Sequence, residues 1–155
     1  MTQNTVGCYT GWGKLKKVVV GELHPIDYFD VLPESSFKER MQKLTKESIE
    51  DLNNFKDSLR SLGVHVYELK NFFQKPGVHS NGHFSVINPR PPYTPRDNLC
   101  FIDNKMFSFF TTMQPTRFFD DFAHHDLFVE LAKDGAEWHQ MPKGYYDIDK
   151  EQELD

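Results

Sequence analysis

The chain of 155 residues has little of several features that would place a protein in a class at once. It has two cysteines, Cys8 and Cys100, which is too few for a disulfide framework, and their spacing is not that of a metal-ligand pair. It has no apolar run of about 18 residues, the length that a membrane-spanning helix needs. The first residues lack the basic-then-apolar pattern of a secretory signal. We therefore expect a protein of a reducing, cytoplasmic environment that does not insert into membranes.

Basic residues are outnumbered by acidic ones, 18 Lys and Arg to 23 Asp and Glu. The formal net charge is −5, and no basic stripe offsets it, which argues against nucleic-acid binding. No cofactor is expected, and the phenylalanine-rich segment between Phe101 and Phe128 is typical of a core or of an interface between modules rather than of a cofactor site. His79 and His83 lie four residues apart in a predicted loop, but no third ligand accompanies them, so we expect no metal site.

Hydrophobic periodicity predicts the order of elements in the first half of the chain. Lys16 to Val20 is β-branched and predicts a strand. Apolar residues recur at helical spacing from Ser36 to Leu62, which predicts an amphipathic helix ended by Gly63. Val64 to Leu69 alternates and predicts a half-buried strand. The segments 22–35 and 71–95 are rich in proline and glycine and are predicted to be loops.

The second half predicts a similar succession of elements. Two strands are expected near 98–102 and 105–110, followed by a helix from about Thr116 to Lys133 and a short strand from Ala136 to Gln140. The acidic end, residues 144–155, has no apolar periodicity and is predicted to be disordered. These elements predict an α+β fold made of two related units.

The candidate site lies where the first strand of the second unit begins. Pro95 introduces a turn that carries Arg96 and Asp97 to the start of an apolar strand. Polar side chains at such a point must be satisfied by each other, by water or by a ligand. Asp97 is the candidate ligand contact, although an aspartate that caps a turn is a common alternative. Arg96 and Arg117 are expected to support the site by pairing with carboxylates.

Five blocks of this sequence, in this order, resemble the glycine/inosamine amidinotransferases of the guanidino-group-modifying (pentein) superfamily. The family pattern "YNEW-x-x-L-x-x-V-I-V-G" is similar to Tyr9 to Gly21, and "L-x-x-x-G-V-x-V" is similar to Leu59 to Val66. The remaining blocks, similar to "PRD", "RFFE" and "GAKW" with "PKP", are Pro95-Arg96-Asp97, Arg117-Phe118-Phe119-Asp120, and Gly135-Ala136-Glu137-Trp138 with Pro142-Lys143.

The resemblance implies a propeller-like ring of five ββαβ modules, of which this chain would supply about two. The modules would span residues 8–70 and 93–143 of an amidinotransferase-like domain, 1–143. The segment 144–155 would then be the end of an incomplete third module.

The chemistry that the resemblance implies is transfer of the amidino group from arginine to an amine such as glycine. Such enzymes use a cysteine nucleophile, a histidine acid/base and carboxylates that bind the guanidinium. Neither Cys8 nor Cys100 falls at the position of that nucleophile, and no histidine falls in the catalytic motif. We therefore expect no catalytic residue within this chain, and Asp97 as its substrate-binding residue.

Three alternatives remain open at this point. The chain could be a non-catalytic module that binds guanidino compounds, or a subunit that partners another polypeptide. It could also be part of a hydrolase similar to arginine deiminase. If the chain is instead part of an amidinotransferase, a complementing C-terminal polypeptide or a homo-oligomer would complete the site.

Overall fold

The computed structural model describes residues 6–70, 72–80, 85–109, 117 and 119–142. This part of the chain contains two α-helices and three small sheets. The helices are α1 (Ser36–Ser61) and α2 (Asp120–Lys133). The strands are β1 (Lys17–Val20), β2 (His65–Glu68), β3 (Val78–Ser80), β4 (Ser85–Ile87), β5 (Leu99–Ile102), β6 (Lys105–Ser108) and β7 (Glu137–Gln140). The mixed α+β class predicted from the sequence is confirmed.

Each half of the chain forms a sheet from strands separated by a helix. In the first half, β1 and β2 pair in parallel across α1, with Val18 opposite Val66. In the second half, β5 and β6 form an antiparallel hairpin, and β7 pairs in parallel with β6 after α2. The two units are therefore β–α–β and ββαβ within the described residues.

Local sequence explains where α1 begins and ends. The Ser35 hydroxyl accepts a hydrogen bond of 3.2 Å from the Lys38 backbone N–H, which is the usual N-terminal cap. Gly63 has a φ of +76°, a left-handed conformation that glycine adopts without strain and that ends helices. The predicted helix bounds are confirmed to within one residue.

Two elements inside predicted loops and the start of one helix differ from the predictions. The predicted loop 22–35 contains a 3-10 helix at Ile26–Val31, and the predicted loop 71–95 contains the β3–β4 hairpin. These strands have three residues each, too few for a periodic pattern. The helix α2 begins at Asp120 rather than near Thr116, which lies outside the described residues. The acidic segment 144–155 also lies outside them.

One hydrophobic cluster joins the two halves. Met106 of β6 and Phe128 and Leu131 of α2 are almost wholly buried at its centre. Leu69, which follows β2, belongs to the same cluster, and Val19 and Tyr67 pack against it. The sheet of the first half is thereby held against α2, and β5 is held in place next to the candidate site.

No helix among the described residues has the length and apolar character to cross a membrane.

The helix α1 is buried less completely than its sequence pattern suggests. Its two buried side chains are lysines, Lys38 and Lys56, whereas apolar side chains on it remain exposed: Phe37, Leu44 and Phe55. Lys56 is 2% exposed, and its Nζ lies 2.8 Å from Glu68 and 3.3 Å from Glu22. This ammonium group therefore links α1 to the ends of both strands of the first sheet.

We expect the Lys56→Met variant to lower the free energy of unfolding by about 1–3 kcal/mol. The substitution leaves two neighbouring carboxylates without their shared cation, although their partial exposure limits the penalty. Lys43 provides a matched control, because its pair with Glu47 is 3.8 Å long and solvent-exposed. Urea unfolding of Lys43→Met should agree with the parent chain to within about 0.5 kcal/mol. Equal effects in the two variants would contradict a linking role for Lys56.

The glycine after β1 allows two backbone segments to approach closely. A Cβ atom at Gly21 would lie 2.4 Å from the Pro92 oxygen and from the Tyr93 Cα and oxygen atoms. The neighbouring Glu22 N–H donates a hydrogen bond of 3.3 Å to the same Pro92 oxygen. The loop before the candidate site is therefore seated directly on the end of β1.

We expect Gly21→Ala to destabilise the chain by about 1–3 kcal/mol, because backbone rather than a flexible side chain must move. Gly11→Ala is the matched control, since no atom lies within 4 Å of its added methyl group. Its unfolding midpoint should be almost unchanged. A Gly21→Ala chain as stable as the Gly11→Ala chain would show that the close approach is absent in solution.

Candidate functional site

The turn that carries Asp97 is formed by its own sequence. Pro95–Asp97 is one turn of 3-10 helix, with proline at its first position. The Asp97 N–H donates to the Thr94 oxygen at 3.2 Å, and the Asn98 N–H donates to the Pro95 oxygen at 3.0 Å. The fixed φ of proline favours such a turn. Because β5 begins at Leu99, the Asp97 side chain lies at the entrance of the three-stranded sheet.

Arg117 lies at the centre of the site and contacts both of its carboxylates. Its Nη1 lies 2.6 Å from Asp97 Oδ2, and its Nε lies 2.9 Å from Asp120 Oδ2. Its Nη2 donates to the Thr94 oxygen at 3.1 Å. Arg117 is 8% exposed, so this guanidinium is held inside the protein by the turn on one side and by the first residue of α2 on the other.

Asp120 and Asn98 complete the buried side of the site. Both are 2% exposed, and Asn98 Nδ2 donates to Asp120 Oδ2 at 2.8 Å. Asn98 and Asp120 were not among the predicted site residues. The three-residue spacing of Arg117 and Asp120 is a signal that could have indicated their pairing. The depth of burial that makes the pair important is not visible in that spacing.

The two carboxylates differ in their electrostatic environment. The Asp97 carboxylate accepts a hydrogen bond from Arg117 and another from the Thr94 side chain. These two, in that order of size, lower the pKa of Asp97 below its ordinary value, so this group is ionised at neutral pH. Burial raises the pKa of Asp120 to about 6, against the opposing effects of Arg117 and Asn98. The exposed carboxylate therefore keeps its charge over a wider pH range than the buried one.

Asp97 has one side that faces solvent. Its side chain is 40% exposed, and its Oδ1 atom lies 3.6 Å from the Nε of Arg96. The Arg96 side chain is itself 90% exposed. An ion pair of this length and exposure is weak and exchanges readily with solvent or other cations. The structure thus brings together all three predicted residues: Asp97 between a buried Arg117 and a surface Arg96.

The two cysteines lie within β5 and beside the end of β5 that is farther from Asp97. Cys100 lies within β5, opposite Phe107, and is half-buried. Cys8 is exposed, and its backbone forms an isolated antiparallel bridge with that of Asp103, at the far end of β5 from Asp97. The four strand residues Leu99–Ile102, a rise of about 13 Å, lie between the Asp97 turn and Asp103.

The histidines His79 and His83 were the sequence's candidates for metal ligands. No group of three or more His, Cys, Asp or Glu side chains suited to a metal ion occurs among the described residues. His79 lines an open aromatic cleft of about 330 Å³ together with Phe73, Phe119 and Phe122. His83 lies outside the described residues.

The sequence matches no protein-family profile and no curated protein. Its structure is similar to two solved amidinotransferases. One is SxtG of Microseira wollei, described as an amidinotransferase in the saxitoxin biosynthetic pathway, with a TM-score of 0.71 and 24% sequence identity. The other is the inosamine-phosphate amidinotransferase StrB1 of Streptomyces griseus, with a TM-score of 0.71 and 22% identity.

The two similarities cover nearly all of this chain but less than half of each amidinotransferase. They cover 92% and 95% of this chain but 43% and 46% of the amidinotransferases, so the chain spans less than half of their length. At this level of identity the similarity shows the fold. The chain therefore has a fold found in part of the amidinotransferases, as the sequence blocks predicted.

Proposed function

We propose that the chain forms part of an amidinotransferase that moves the amidino group of arginine to an amine acceptor such as glycine. The fold similarity supports the class of protein. The observation that supports arginine as the substrate is the environment of Asp97. This half-exposed carboxylate has a lowered pKa and already pairs with two guanidinium groups. In this proposal the chain contributes about two of five modules of a propeller-like ring.

The role proposed for Asp97 is to bind the guanidinium of the donor. Arg117 holds Oδ2 from the buried side and thereby fixes the orientation of the carboxylate. The Oδ1 atom, which faces the loosely placed Arg96, is the atom available to a substrate N–H. A guanidinium is planar and presents N–H groups at fixed angles, so an oriented carboxylate recognises it better than a mobile one.

The covalent step requires a thiolate, which this proposal places on a segment outside this chain. A cysteine thiolate would attack the guanidinium carbon, and the bond to the donor's alkyl nitrogen would break as that nitrogen takes up a proton. The acceptor amine would then attack the amidino carbon and release the thiolate. The proposal places that nucleophile and its histidine outside this chain, because neither Cys8 nor Cys100 and no histidine here falls at the family's motif positions.

A complementing polypeptide, or a second copy of the chain, is part of the same proposal. The apolar side chains of α1 that remain exposed, Leu44 and Phe55 among them, support a neighbour on that face. Exposed apolar groups of this kind are typical of surfaces that pack against a further module.

We expect the purified chain to bind arginine without converting it. Incubation with arginine and glycine should yield no guanidinoacetate, because the nucleophile lies elsewhere. Product that forms with the purified chain and disappears in Cys100→Ser would contradict the proposed division of the site.

We expect Asp97→Asn to weaken arginine binding by about 10- to 100-fold, measured by calorimetry or NMR titration, because one charge-assisted hydrogen bond is lost. Asp103→Asn is the matched control. It removes the same charge from the other end of β5, and its φ of +55° is one that asparagine tolerates. Its affinity should equal that of the parent chain.

The stability of the variants separates a binding role from a structural one. Asp97 also pairs with the buried Arg117, so Asp97→Asn is expected to lose some stability as well. Arg117→Gln removes the same pair but keeps the carboxylate. If both variants lose arginine binding only in proportion to their unfolded fraction, Asp97 is a structural residue and the proposed contact is wrong.

A further inference from the structure

A second polar pocket lies between α2 and the three-stranded sheet. It has a volume of about 150 Å³ and is bounded by Ser108 at the end of β6, by Asp121 and His124 of α2, and by Trp138 of β7. Asp97, Arg117 and Asp120 do not line it. The pocket therefore adjoins the candidate site at Asp121 but has its own lining, and an inference about it does not rest on the proposed function.

Three buried polar groups around this pocket lack hydrogen-bond partners within the described part of the chain. His124 is 1% exposed and Ser108 is 4% exposed. Both ring nitrogens of His124, the Ser108 Oγ and the Trp138 Nε1 are unpaired there. Folded proteins satisfy nearly all buried polar atoms, and ordered water or a ligand supplies the partner where protein atoms do not. Three such groups around one pocket indicate a site for a polar molecule.

The protonation of His124 limits what that molecule can be. Burial lowers the pKa of His124 to about 4, so its ring is neutral at neutral pH. A neutral imidazole has one nitrogen that accepts a hydrogen bond and one that donates. The Ser108 hydroxyl also accepts, and the Asp121 carboxylate at the edge of the pocket is an acceptor with negative charge.

The arrangement of acceptors matches a primary ammonium group. An –NH₃⁺ group has three N–H donors and no acceptor, and Asp121, Ser108 and His124 offer acceptors. Asp121 Oδ2 also accepts from Gln140 Nε2 at 3.5 Å, and a carboxylate accepts more than one hydrogen bond. The rings of Phe128 and Trp138, which also line the pocket, favour a cation near their faces. An anion would be repelled by Asp121, and an apolar molecule would leave the buried polar atoms unsatisfied.

The size of the pocket restricts the ligand to a small molecule. A water molecule takes up about 30 Å³ in the liquid, so the pocket holds about five non-hydrogen atoms. The Trp138 N–H is a donor, which an ammonium group cannot satisfy. A hydroxyl or carbonyl oxygen on the same small molecule would accept from it.

We propose that this pocket binds the ammonium group of a small primary amine that also carries a hydrogen-bond acceptor. Ethanolamine has both groups and four non-hydrogen atoms, so it is a suitable probe. Ethylene glycol is the matched neutral compound, in which a hydroxyl replaces the ammonium.

Trp138 is a direct reporter for binding. The chain has two tryptophans, and Trp12 is 88% exposed, so Trp12→Phe leaves the fluorescence of Trp138 alone without disturbing the core. Ethanolamine should change this fluorescence saturably at constant ionic strength, and ethylene glycol should bind at least about 10-fold more weakly. Equal responses to the two compounds, or none to ethanolamine, would overturn the proposal.

Two variants in the Trp12→Phe background locate the charge. Asp121→Asn should weaken ethanolamine binding by about 10-fold or more, whereas Asp126→Asn should not change it. Asp126 lies on the same helix but pairs with Lys70 at 3.0 Å and does not line the pocket. Asp97→Asn should also bind ethanolamine normally, which distinguishes this pocket from the arginine site.

If Asp121→Asn fails to fold, as judged by circular dichroism, the comparison of ethanolamine with ethylene glycol still decides the proposal. Full binding by a folded Asp121→Asn chain would place the ammonium elsewhere and would contradict the assignment.

Discussion

The candidate site depends on one buried cation. Arg117 lies between a surface carboxylate, Asp97, and a buried one, Asp120, and it also takes a backbone oxygen of the turn. A guanidinium with this little solvent contact requires counter-charges and hydrogen bonds in fixed directions. The turn before β5 and the start of α2 are therefore held together through one side chain. This arrangement gives the exposed Asp97 a fixed orientation.

The unequal exposure of the two carboxylates has a chemical consequence. Asp120 neutralises Arg117 from inside the protein, so Asp97 is not its sole counter-charge. One oxygen of Asp97 is used for support and the other faces a loosely held arginine. In the proposed function this arrangement would preorganise the site for a guanidinium, because the carboxylate is ionised and oriented before any ligand arrives. This is the physical basis for the amidinotransferase proposal, beside the similarity of fold.

The sequence predicted those features that depend on local pattern. The long apolar periodicity of α1, its end at Gly63 and the strand alternation of β2 are all encoded by neighbouring residues. The turn at Pro95 and the placement of Asp97 before a strand follow from the same kind of information. The β3–β4 hairpin was missed because strands of three residues carry no periodic signal. The burial of Arg117, Asp120 and His124 was also beyond reach, since it arises when separate segments pack. The close approach at Gly21 depends on a segment about seventy residues away in sequence.

Carbon-13 NMR of the aspartate carboxyl groups tests the central claim most directly, because it observes Asp97 and Asp120 separately. We expect Asp97 to titrate below its ordinary pKa and Asp120 near pH 6. Arginine added at pH 7 should shift the Asp97 carboxyl resonance and leave that of Asp103 unchanged. An Asp97 resonance that titrates normally and does not respond to arginine would contradict both the supporting role of Arg117 and the proposed substrate contact.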